Sequence, residues 1–557
     1  MATKTFRTRI KICAYLAVFP VIPISGKLFY LQTIKHADLS KTASKAVNKD
    51  IFETGPRGRI LDSEGNVLVE SITAWDCSIL KKEVAEPQKM LHQLPPLVNM
   101  PPLEFASKYK KTRNYLSVKK NLDRETFEKI EKLKIKGISL EPKYKRYYPS
   151  GNIARGLLGI AGEEKGLTGI ELLYDRVLGG RVNKREILRD AKGKIIYRNE
   201  TEEGQPLDVH TTIDKNIQFF AQEMIKKYTD KYMANLGIVI VQAPHTGRIL
   251  AMSSYPEDPE KTIPVEWVYE PGSTFKIVTL SAALEKGIAA PEDKFFCENG
   301  KWQFNGAVAI NDHEPEQTLS VSEIIERSSN IGTAKIALKL GLENYYYYTK
   351  IFGFGTKTGL GFYGESAGIQ KPMKNYRPVD LVTGSYGHGI GATPVQMVNA
   401  FSAIANGGNL MEPIVVDEIR NAQGLTVFAN EPLALRRVVS EETAALVKNI
   451  LEKAVLFGTG KQAAIAGYSI AGKTGTSKKR DSSGNYVSKQ YVVSFCGFFP
   501  AENPLYTILV IMDHPKTPQQ YAAETAVPCF REIAKKIITL KGIPPDTEPA
   551  TARLAHY

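Results

Sequence analysis

A serine and a lysine three residues apart open one apolar segment, Ser273-Thr274-Phe275-Lys276. Glycine and proline precede this segment and Gly287 closes it, so the pattern predicts a helix with marked ends. In that helix Ser273 lies in the first turn, and Lys276 lies one turn away on the same face. A hydroxyl becomes a good nucleophile when a neighbouring base accepts its proton. Lysine can be that base if burial or a second cation lowers its pKa, so the pair suggests an activated serine.

Two further segments carry residues that complete such a site, since a capping serine and a solvated lysine would give the same first motif. Ser328 and Asn330 offer a hydroxyl that can relay a proton and an amide that can bind a peptide group. A helix-capping serine with a turn asparagine is the plainer alternative for this second motif.

The third segment is Lys473-Thr474-Gly475-Thr476, on a predicted strand. Lys473 supplies the second cation, and the two threonines supply hydroxyl donors for a carboxylate. Gly475 allows a substrate backbone to approach closely. The alternative is an edge strand whose lysine and glycine deter pairing with other chains.

Composition limits the classes of function. The chain has 557 residues with 43% hydrophobic content, enough for two or three domains. Its 73 basic and 59 acidic residues give a charge of +14, which suits a membrane surface or an anionic substrate. The sequence has no nucleic-acid-binding motif, so we expect no nucleic-acid partner. The spacing of five cysteines and eight histidines suggests neither a disulfide framework nor a metal site, and we expect no metal.

The N-terminus reads as a membrane anchor. Residues 1–11 are basic and are expected to stay in the cytoplasm, and residues 12–32 form a mostly apolar run. Pro20, Pro23 and Lys27 weaken this run, and a cleaved signal peptide is the alternative. We expect a single transmembrane helix in contact with membrane lipid, with the rest of the chain exported.

The remaining chain predicts an α+β protein of two domains. Residues 33–205 form a mixed α/β, non-catalytic pedestal. Residues 206–545 read as a helix, two strands, a long helical insertion, three strands and a helix. This order predicts an antiparallel five-stranded sheet, with the terminal helices on one face and a helical subdomain against the other. Residues 546–557 read as a disordered tail.

Together the three motifs match the signature shared by penicillin-binding proteins and class A β-lactamases. The chain resembles a class B penicillin-binding protein from the anchor to about residue 543. Further segments carry the resemblance: Gly-Pro-Arg-Gly-Arg-Ile-Leu-Asp at 55–62, Arg-Tyr-Tyr-Pro at 146–149 and Gly-Ile-Gly-Ala-Thr-Pro-Val-Gln at 389–396. Residues 473–530 look most like the division-specific, FtsI-type branch.

The resemblance implies a C-terminal penicillin-binding transpeptidase domain with peptidoglycan D,D-transpeptidase activity in septal wall synthesis. By that resemblance Ser273 attacks the carbonyl between the two terminal D-alanines of a stem peptide, and Lys276 is the general base. Ser328 returns the proton to the departing D-alanine. Catalysis would need no cofactor, and β-lactams would acylate Ser273 as substrate mimics.

The resemblance also assigns the substrate contacts. Asn330 would hold the donor peptide, while Lys473, Thr474 and Thr476 would bind its terminal carboxylate beside Gly475. The backbone amides of Ser273 and Thr476 would form the oxyanion hole. Implied partners are a membrane glycosyltransferase and proteins of the division complex, at the bacterial inner membrane with the catalytic domain outside the cytoplasm.

Other functions stay open. The same motifs suit an elongation-type class B penicillin-binding protein, a serine β-lactamase or a β-lactam sensor, and a non-enzymatic division scaffold needs none of them. His388 stands where relatives are expected to carry an amide, and for it we expect a structural or substrate-edge role.

Overall fold

A computed structural model describes residues 2–19, 21–40, 48–179, 182–189, 195–203, 205–306, 308–480 and 486–547. Most of the predicted tail, 548–557, lies outside the described residues. Contacts divide the chain into two compact units, one of residues 1–56 with 180–205 and one of residues 57–179 with 206–557. The domain boundaries proposed from the sequence stay predictions.

The first half of the chain alternates short helices with strands. Its helices are α1 (Ala2–Val18), α2 (Val21–Phe29), α3 (Pro87–Leu97), α4 (Pro102–Lys111), α5 (Arg124–Lys132), α6 (Arg155–Leu158), α7 (Gly169–Leu173) and α8 (Asp175–Leu178). Its strands are β1 (Asn48–Thr54), β2 (Ile60–Leu61), β3 (Val67–Leu80), β4 (Tyr115–Leu122), β5 (Ile138–Tyr147), β6 (Val182–Arg189) and β7 (Ile195–Glu203).

The second half holds the longer helices and the larger sheet. Its helices are α9 (Lys215–Lys231), α10 (Ile263–Glu266), α11 (Lys276–Glu285), α12 (Val321–Glu326), α13 (Asn330–Leu340), α14 (Leu342–Ile351), α15 (Pro378–Ser385), α16 (Pro394–Ala405), α17 (Glu441–Leu456) and α18 (Ala526–Lys541). Its strands are β8 (Asp208–Thr211), β9 (Leu236–Gln242), β10 (Ile249–Tyr255), β11 (Lys294–Phe296), β12 (Lys301–Phe304), β13 (Val308–Asn311), β14 (Thr318–Ser320), β15 (Asn409–Met411), β16 (Val416–Arg420), β17 (Thr426–Ala429), β18 (Ala434–Arg437), β19 (Ala471–Arg480), β20 (Tyr486–Phe499) and β21 (Tyr506–Asp513).

The expected single helix over 12–32 is not what the structure has. Helix α1 ends at Val18, and α2 runs only from Val21 to Phe29. Within the described residues, every helix is too short or too polar to span a bilayer. The sequence offers a physical reason for the interruption, because Pro20 and Pro23 remove backbone donors that a continuous helix would use.

In the same compact unit, β1, β6 and β7 form an antiparallel three-stranded sheet.

A seven-stranded sheet runs through the other unit in the order β17-β16-β8-β2-β3-β4, with β5 paired to β3. Helices α3, α4 and α5 cover β3–β5 around buried side chains that include Ile79, Leu94 and Phe105. Strand β2 pairs in parallel with β8, so the sheet joins residues on both sides of position 206. This sheet was not anticipated from the sequence.

A five-stranded antiparallel sheet in the order β10-β9-β21-β20-β19 forms the centre of the C-terminal half, as predicted. Alternate residues of its inner strands face opposite ways, and Val239 and Phe495 join one core while Ile240 and Cys496 join the other. Helices α9 and α18 cover the first face. Asp214 caps α9 and pairs with Lys541 of α18 at 2.5 Å, which fixes these two terminal helices together.

Helices α11 and α16 pack into the second core, so the helical subdomain lies on the predicted face. Thr393 and Gln396 form a capping box at the start of α16, and every residue of that helix is buried. A helix that is apolar on all sides has to be enclosed by protein. The subdomain is therefore part of the core and gives the serine segment a rigid base.

A buried ion-pair cluster ties the segment before β2 to β5 and α7. The carboxylate of Glu171 has no exposed surface and contacts Arg57 Nε at 3.0 Å and Arg146 Nε at 2.7 Å. Arg57 also pairs with Asp175 at 2.8 Å, and Arg146 donates to the carbonyl of Gly58 at 2.8 Å. These contacts explain why the two arginine-containing segments singled out in the sequence matter: they meet on one acid.

Replacing Glu171 with glutamine is expected to lower the free energy of unfolding by about 3–5 kcal/mol. The buried guanidinium group of Arg146 loses its carboxylate partner, and Arg57 keeps only Asp175. Chemical denaturation followed by circular dichroism measures the loss. The matched control is Glu163→Gln, which removes an exposed carboxylate paired with Lys120 and should change stability by less than about 1 kcal/mol. Equal stability of the two variants would contradict a structural role for the cluster.

Candidate active site

Ser273 lies in a single 3-10 turn, Gly272–Phe275, and the α-helix begins only at Lys276. The sequence placed the serine in the first turn of the helix; in the structure that turn is a 3-10 turn that precedes the α-helix. Thr274 donates to the carbonyl of Pro271 at 2.7 Å, and the Phe275 ring packs edge-on against Phe354 at 5.0 Å. The turn is therefore held from both sides.

Strand β19 packs directly on this turn, and glycines permit the approach. A Cβ on Gly475 would lie 2.9 Å from the Pro271 carbonyl oxygen and 3.0 Å from the Thr274 methyl. Gly272 has φ +55°, and its own Cβ would lie 2.9 Å from the Thr476 carbonyl oxygen. Gly475 is thus required by the protein's own neighbours, whereas the sequence suggested a substrate backbone. These neighbours are the Ser494 hydroxyl of β20, which a Cβ would approach most closely, and the serine turn.

Lys276 connects the serine segment to the second motif. Its amine donates to the carbonyl oxygen of Ser328 at 2.5 Å and to the Ser328 hydroxyl at 3.2 Å. The lysine has no exposed surface. Ser328 has φ +62°, in the left-handed region that costs a side-chain-bearing residue energy. That conformation presents both oxygens of Ser328 to one amine.

Asp312, which sequence reasoning missed, holds the second motif in place. It follows β13, and its Oδ1 accepts the backbone amides of Asn330 at 2.5 Å and Ile331 at 3.0 Å. Its Oδ2 accepts the hydroxyl of Ser329 at 2.5 Å, and the Asn330 side-chain amide donates to the Asn311 carbonyl at 3.0 Å. A carboxylate is favourable at a helix N-terminus. No local spacing in the sequence links residue 312 to α13.

Lys473 lies on β19 with 1% of its surface exposed. Its amine is 3.3 Å from the Thr474 hydroxyl and 3.4 Å from the Thr459 hydroxyl. The two threonine hydroxyls are 2.7 Å apart. Within the described part of the chain, no carboxylate lies at ion-pair distance from Lys473 or from Lys276.

Burial without a counter-charge lowers the pKa of both amines. Loss of hydration and the positive charge of Lys473 lower the pKa of Lys276 well below that of an ordinary lysine, and Asp312 opposes the shift. Burial lowers the pKa of Lys473 to about 7. Both shifts favour the neutral form of the amines, and they make Lys276 a better proton acceptor toward neutral pH than an ordinary lysine.

A cavity of about 390 Å³ opens above these amines. Five of the eight site residues predicted from the sequence line it: Ser273, Ser328, Asn330, Thr474 and Thr476. Lys276, Lys473 and Gly475 are buried and are not part of its lining. Residues that the sequence did not suggest complete the wall: His313, Glu314, Glu326, Arg327, Phe457, Gly458, Thr459, Lys461 and Tyr521. All three motifs therefore meet at one cavity.

His388 packs between aromatic rings near the serine turn. Its ring is 5.2 Å from Tyr386 and 6.3 Å from Tyr486, and burial lowers its pKa. Its Nδ1 is buried without a hydrogen-bond partner among the described residues. The preceding Gly387 contacts the turn directly, since a Cβ there would lie 2.2 Å from the Gly272 carbonyl oxygen.

Comparison with known families and relatives agrees with this arrangement. The penicillin binding protein transpeptidase domain matches residues 237–535, and the penicillin-binding protein dimerisation domain matches residues 52–208. Stage V sporulation protein D of Bacillus subtilis is 32% identical over 97% of this chain and 87% of its own length. Peptidoglycan D,D-transpeptidase FtsI of Buchnera aphidicola is 30% identical over 98% of this chain and 97% of its own.

Solved structures share the fold. Penicillin binding protein 3 of Mycobacterium tuberculosis, complexed with aztreonam, aligns with a TM-score of 0.69 at 25% identity, over 90% of this chain and 99% of that one. Penicillin Binding Protein 2X of Streptococcus thermophilus aligns with a TM-score of 0.74 at 24% identity, over 89% and 80% of the two chains. The family matches cover the pedestal as well as the serine cavity, so the chain belongs to the class B penicillin-binding proteins.

Proposed function

We propose that this protein is a peptidoglycan D,D-transpeptidase that cross-links stem peptides ending in D-Ala-D-Ala through an acyl-enzyme on Ser273. One observation carries the proposal: the buried amine of Lys276, which has no carboxylate partner among the described residues, contacts Ser328 beside the serine turn. Full-length relatives named as peptidoglycan D,D-transpeptidases support it.

Acylation begins with proton transfer from the Ser273 hydroxyl to the neutral amine of Lys276. The serine oxygen attacks the carbonyl carbon of the penultimate D-alanine. The backbone amides of Ser273 and Thr476 receive the developing negative charge, with each such donor worth about 3 kcal/mol. The proton then passes through the Ser328 hydroxyl to the departing D-alanine nitrogen.

Substrate placement falls to the polar groups around the cavity. Lys473, when protonated, and the hydroxyls of Thr474 and Thr476 bind the terminal carboxylate. Asn330 binds the donor peptide backbone. Because Gly475 lets β19 pack against the serine turn, the threonines of β19 lie close to Ser273. An amine of a second stem peptide then attacks the acyl-enzyme, the new amide forms, and the serine oxygen recovers its proton.

β-Lactams are expected to acylate Ser273 in the same way. Penicillin binding protein 3 of Mycobacterium tuberculosis, 25% identical to this chain, has been crystallised with aztreonam and with ampicillin. When the β-lactam ring opens, the released nitrogen stays attached to the acyl group and does not leave the site, so the acyl-enzyme is expected to persist. A serine β-lactamase would instead release the drug by hydrolysis.

We also propose that the cross-linking serves the division septum, at the outer side of a bacterial inner membrane, together with a membrane glycosyltransferase and other division proteins. Support comes from the similarity of residues 473–530 to the FtsI-type branch and from relatives that carry that name. The basic 1–11 segment followed by the apolar 12–32 segment supports export of the catalytic domain.

Replacing Ser273 with alanine is expected to abolish covalent labelling by a fluorescent penicillin and to lower cross-linking by several orders of magnitude, since loss of a nucleophile costs about 10⁶ in other serine enzymes. Gel fluorescence and analysis of cross-linked peptides measure the two effects. Ser281→Ala, on the α-helix that follows the serine turn, removes a buried hydroxyl that makes no hydrogen bond to the described residues and serves as the control. Wild-type label released within seconds would favour a β-lactamase, and normal division of Ser273→Ala cells would favour a scaffold.

The pH dependence of kcat/KM for acylation is expected to be bell-shaped. The rate falls on the acid side as Lys276 gains a proton and can no longer act as a base. It falls on the alkaline side around pH 7 as Lys473 loses the charge that binds the carboxylate. Stopped-flow acylation from pH 5 to 10 measures the profile. A rate that keeps rising to pH 10 would indicate an ordinary lysine pKa at position 276.

A fluorescent fusion expressed at native level is expected to form midcell rings in dividing cells, since a septal enzyme is needed only where the septum grows. Time-lapse microscopy measures the distribution, with Ser273→Ala as a control for dependence on activity. Patches along the lateral wall would instead assign the protein to elongation.

A further inference from the structure

A second groove of about 770 Å³ lies on the far side of the serine turn, and nothing in the mechanism above uses it. We propose that this groove binds the acceptor stem peptide, the second substrate of the transpeptidase, by its carboxylate groups. The inference rests on the proposed function and deepens it, because a transpeptidase must hold two peptides while the cavity at Ser273 holds one.

The groove and the serine cavity share one strand and one turn. Thr474 and Thr476 of β19 line the serine cavity, while Ser477 and the residues after it line the groove. Consecutive strand residues are only about 3.3 Å apart, so the two spaces adjoin along β19. Glu270, which lines the groove, is three positions before Ser273, so a peptide seated there lies beside the acyl-enzyme.

The partition between the two spaces is built from the same contacts that hold the turn. The Ser477 hydroxyl donates to the Glu270 carbonyl at 2.7 Å. The Glu270 carboxylate accepts Arg480 Nε at 2.7 Å and the Gly389 amide at 2.8 Å. A compact peptide cannot pass through this partition. An amine at the end of a long side chain can reach over it, and the acceptor amine of a stem peptide is of that kind when its third residue is a diamino acid.

Charge favours an anionic peptide. The groove is lined by five basic and two acidic side chains. Asp380 forms ion pairs with both Lys371, at 2.7 Å, and Arg377, at 3.2 Å, so one carboxylate neutralises only part of the charge of two cations. Lys478 is exposed, and within the described residues no carboxylate lies at ion-pair distance from it. Lys479 already pairs with Asp513 at 2.5 Å. The positive charge that remains, chiefly that of Lys478, can pair with carboxylates of a bound peptide.

The floor suits a peptide backbone and its short side chains. Trp267 and Tyr269 stack at 5.2 Å with nearly parallel rings, and both line the groove. The Tyr269 hydroxyl is buried, and no described residue forms a hydrogen bond with it. An apolar floor with a few polar groups at its rim is typical of small-molecule and peptide sites.

In the second half-reaction the acceptor nitrogen attacks the carbonyl carbon of the Ser273 ester. The new C–N bond forms, the bond from carbon to the serine oxygen breaks, and one amine proton returns to that oxygen. No oxidant or further reactant is required. A groove that acts only in this step alters transfer to the acceptor and leaves acylation unchanged.

The test is Lys478→Glu in the full-length, detergent-solubilised chain. The donor is a thioester whose acyl part ends in D-alanine, and the acceptors are the tripeptide L-Ala-γ-D-Glu-L-Lys and free D-alanine. We expect the KM for the tripeptide to rise at least fivefold, because a cation that pairs with its carboxylates becomes an anion. Acylation by penicillin and transfer to D-alanine, which is too small to span the groove, stay unchanged. Lys478→Arg restores the tripeptide KM.

Two controls isolate the contact. Lys165→Glu makes the same charge change at another exposed lysine and should leave both acceptors unaffected. Amidating the D-Glu carboxylate of the tripeptide should raise its KM with the wild-type protein and add little with Lys478→Glu.

The outcomes separate the two claims. A wild-type chain that is acylated neither by the thioester nor by penicillin contradicts the proposed function itself. If acylation is normal, three results overturn the groove assignment alone. They are no transfer to the tripeptide, an unchanged tripeptide KM in Lys478→Glu, and an equal loss of transfer to the tripeptide and to D-alanine in that variant.

Discussion

The site depends on two lysine amines that are buried close together without a carboxylate partner in the described structure. Removing an ammonium group from water is costly, and a second positive charge nearby adds to the cost. Both effects favour the neutral amine, so the pKa of Lys276 lies well below that of an ordinary lysine. An amine of lowered pKa next to a serine turn can accept the serine proton, and the proposed chemistry follows from that electrostatic constraint.

Rigid supports keep the amines from escaping to water. Lys276 begins a helix whose next eight residues are all buried, so its stem cannot swing outward. The carbonyl and hydroxyl oxygens of Ser328 accept hydrogen bonds from the Lys276 amine. Asp312 fixes the loop that carries Ser328, because its carboxylate accepts hydrogen bonds from the first turn of the next helix. Strand β19 brings Lys473 from the opposite side, where Gly475 lets the strand touch the serine turn. The supports combine buried packing with hydrogen bonds between buried or partly buried groups.

Sequence reasoning found the residues that carry chemistry because their types and local spacing are distinctive. The apolar run after Lys276 and the strand around Lys473 gave the helix and the sheet, since both follow from hydrophobic periodicity. Asp312 escaped notice because its partners are 17 to 19 residues away, a separation that no local pattern encodes. The neighbours of Gly475 were missed for the same reason. A glycine in a strand indicates that another group approaches closely, but the sequence does not identify that group.

The N-terminal half was harder to predict. Its seven-stranded sheet is completed by β8, β16 and β17, which come from beyond residue 206, and short strands paired across the chain leave little signal in a single sequence. The cluster around Glu171 likewise joins residues 114 positions apart. Two arginine-containing segments were conspicuous in the sequence, but their shared partner became visible only in the fold.

The most direct measurement is an NMR titration of ¹³C-labelled lysine side chains, with the signals of Lys276 and Lys473 assigned from Lys276→Arg and Lys473→Arg. The account predicts that Lys473 titrates at about pH 7 and that Lys276 titrates well below the ordinary lysine range, while exposed lysines titrate normally. If both amines keep their protons up to the pH at which the exposed lysines lose theirs, Lys276 is not a base at neutral pH and the account is wrong.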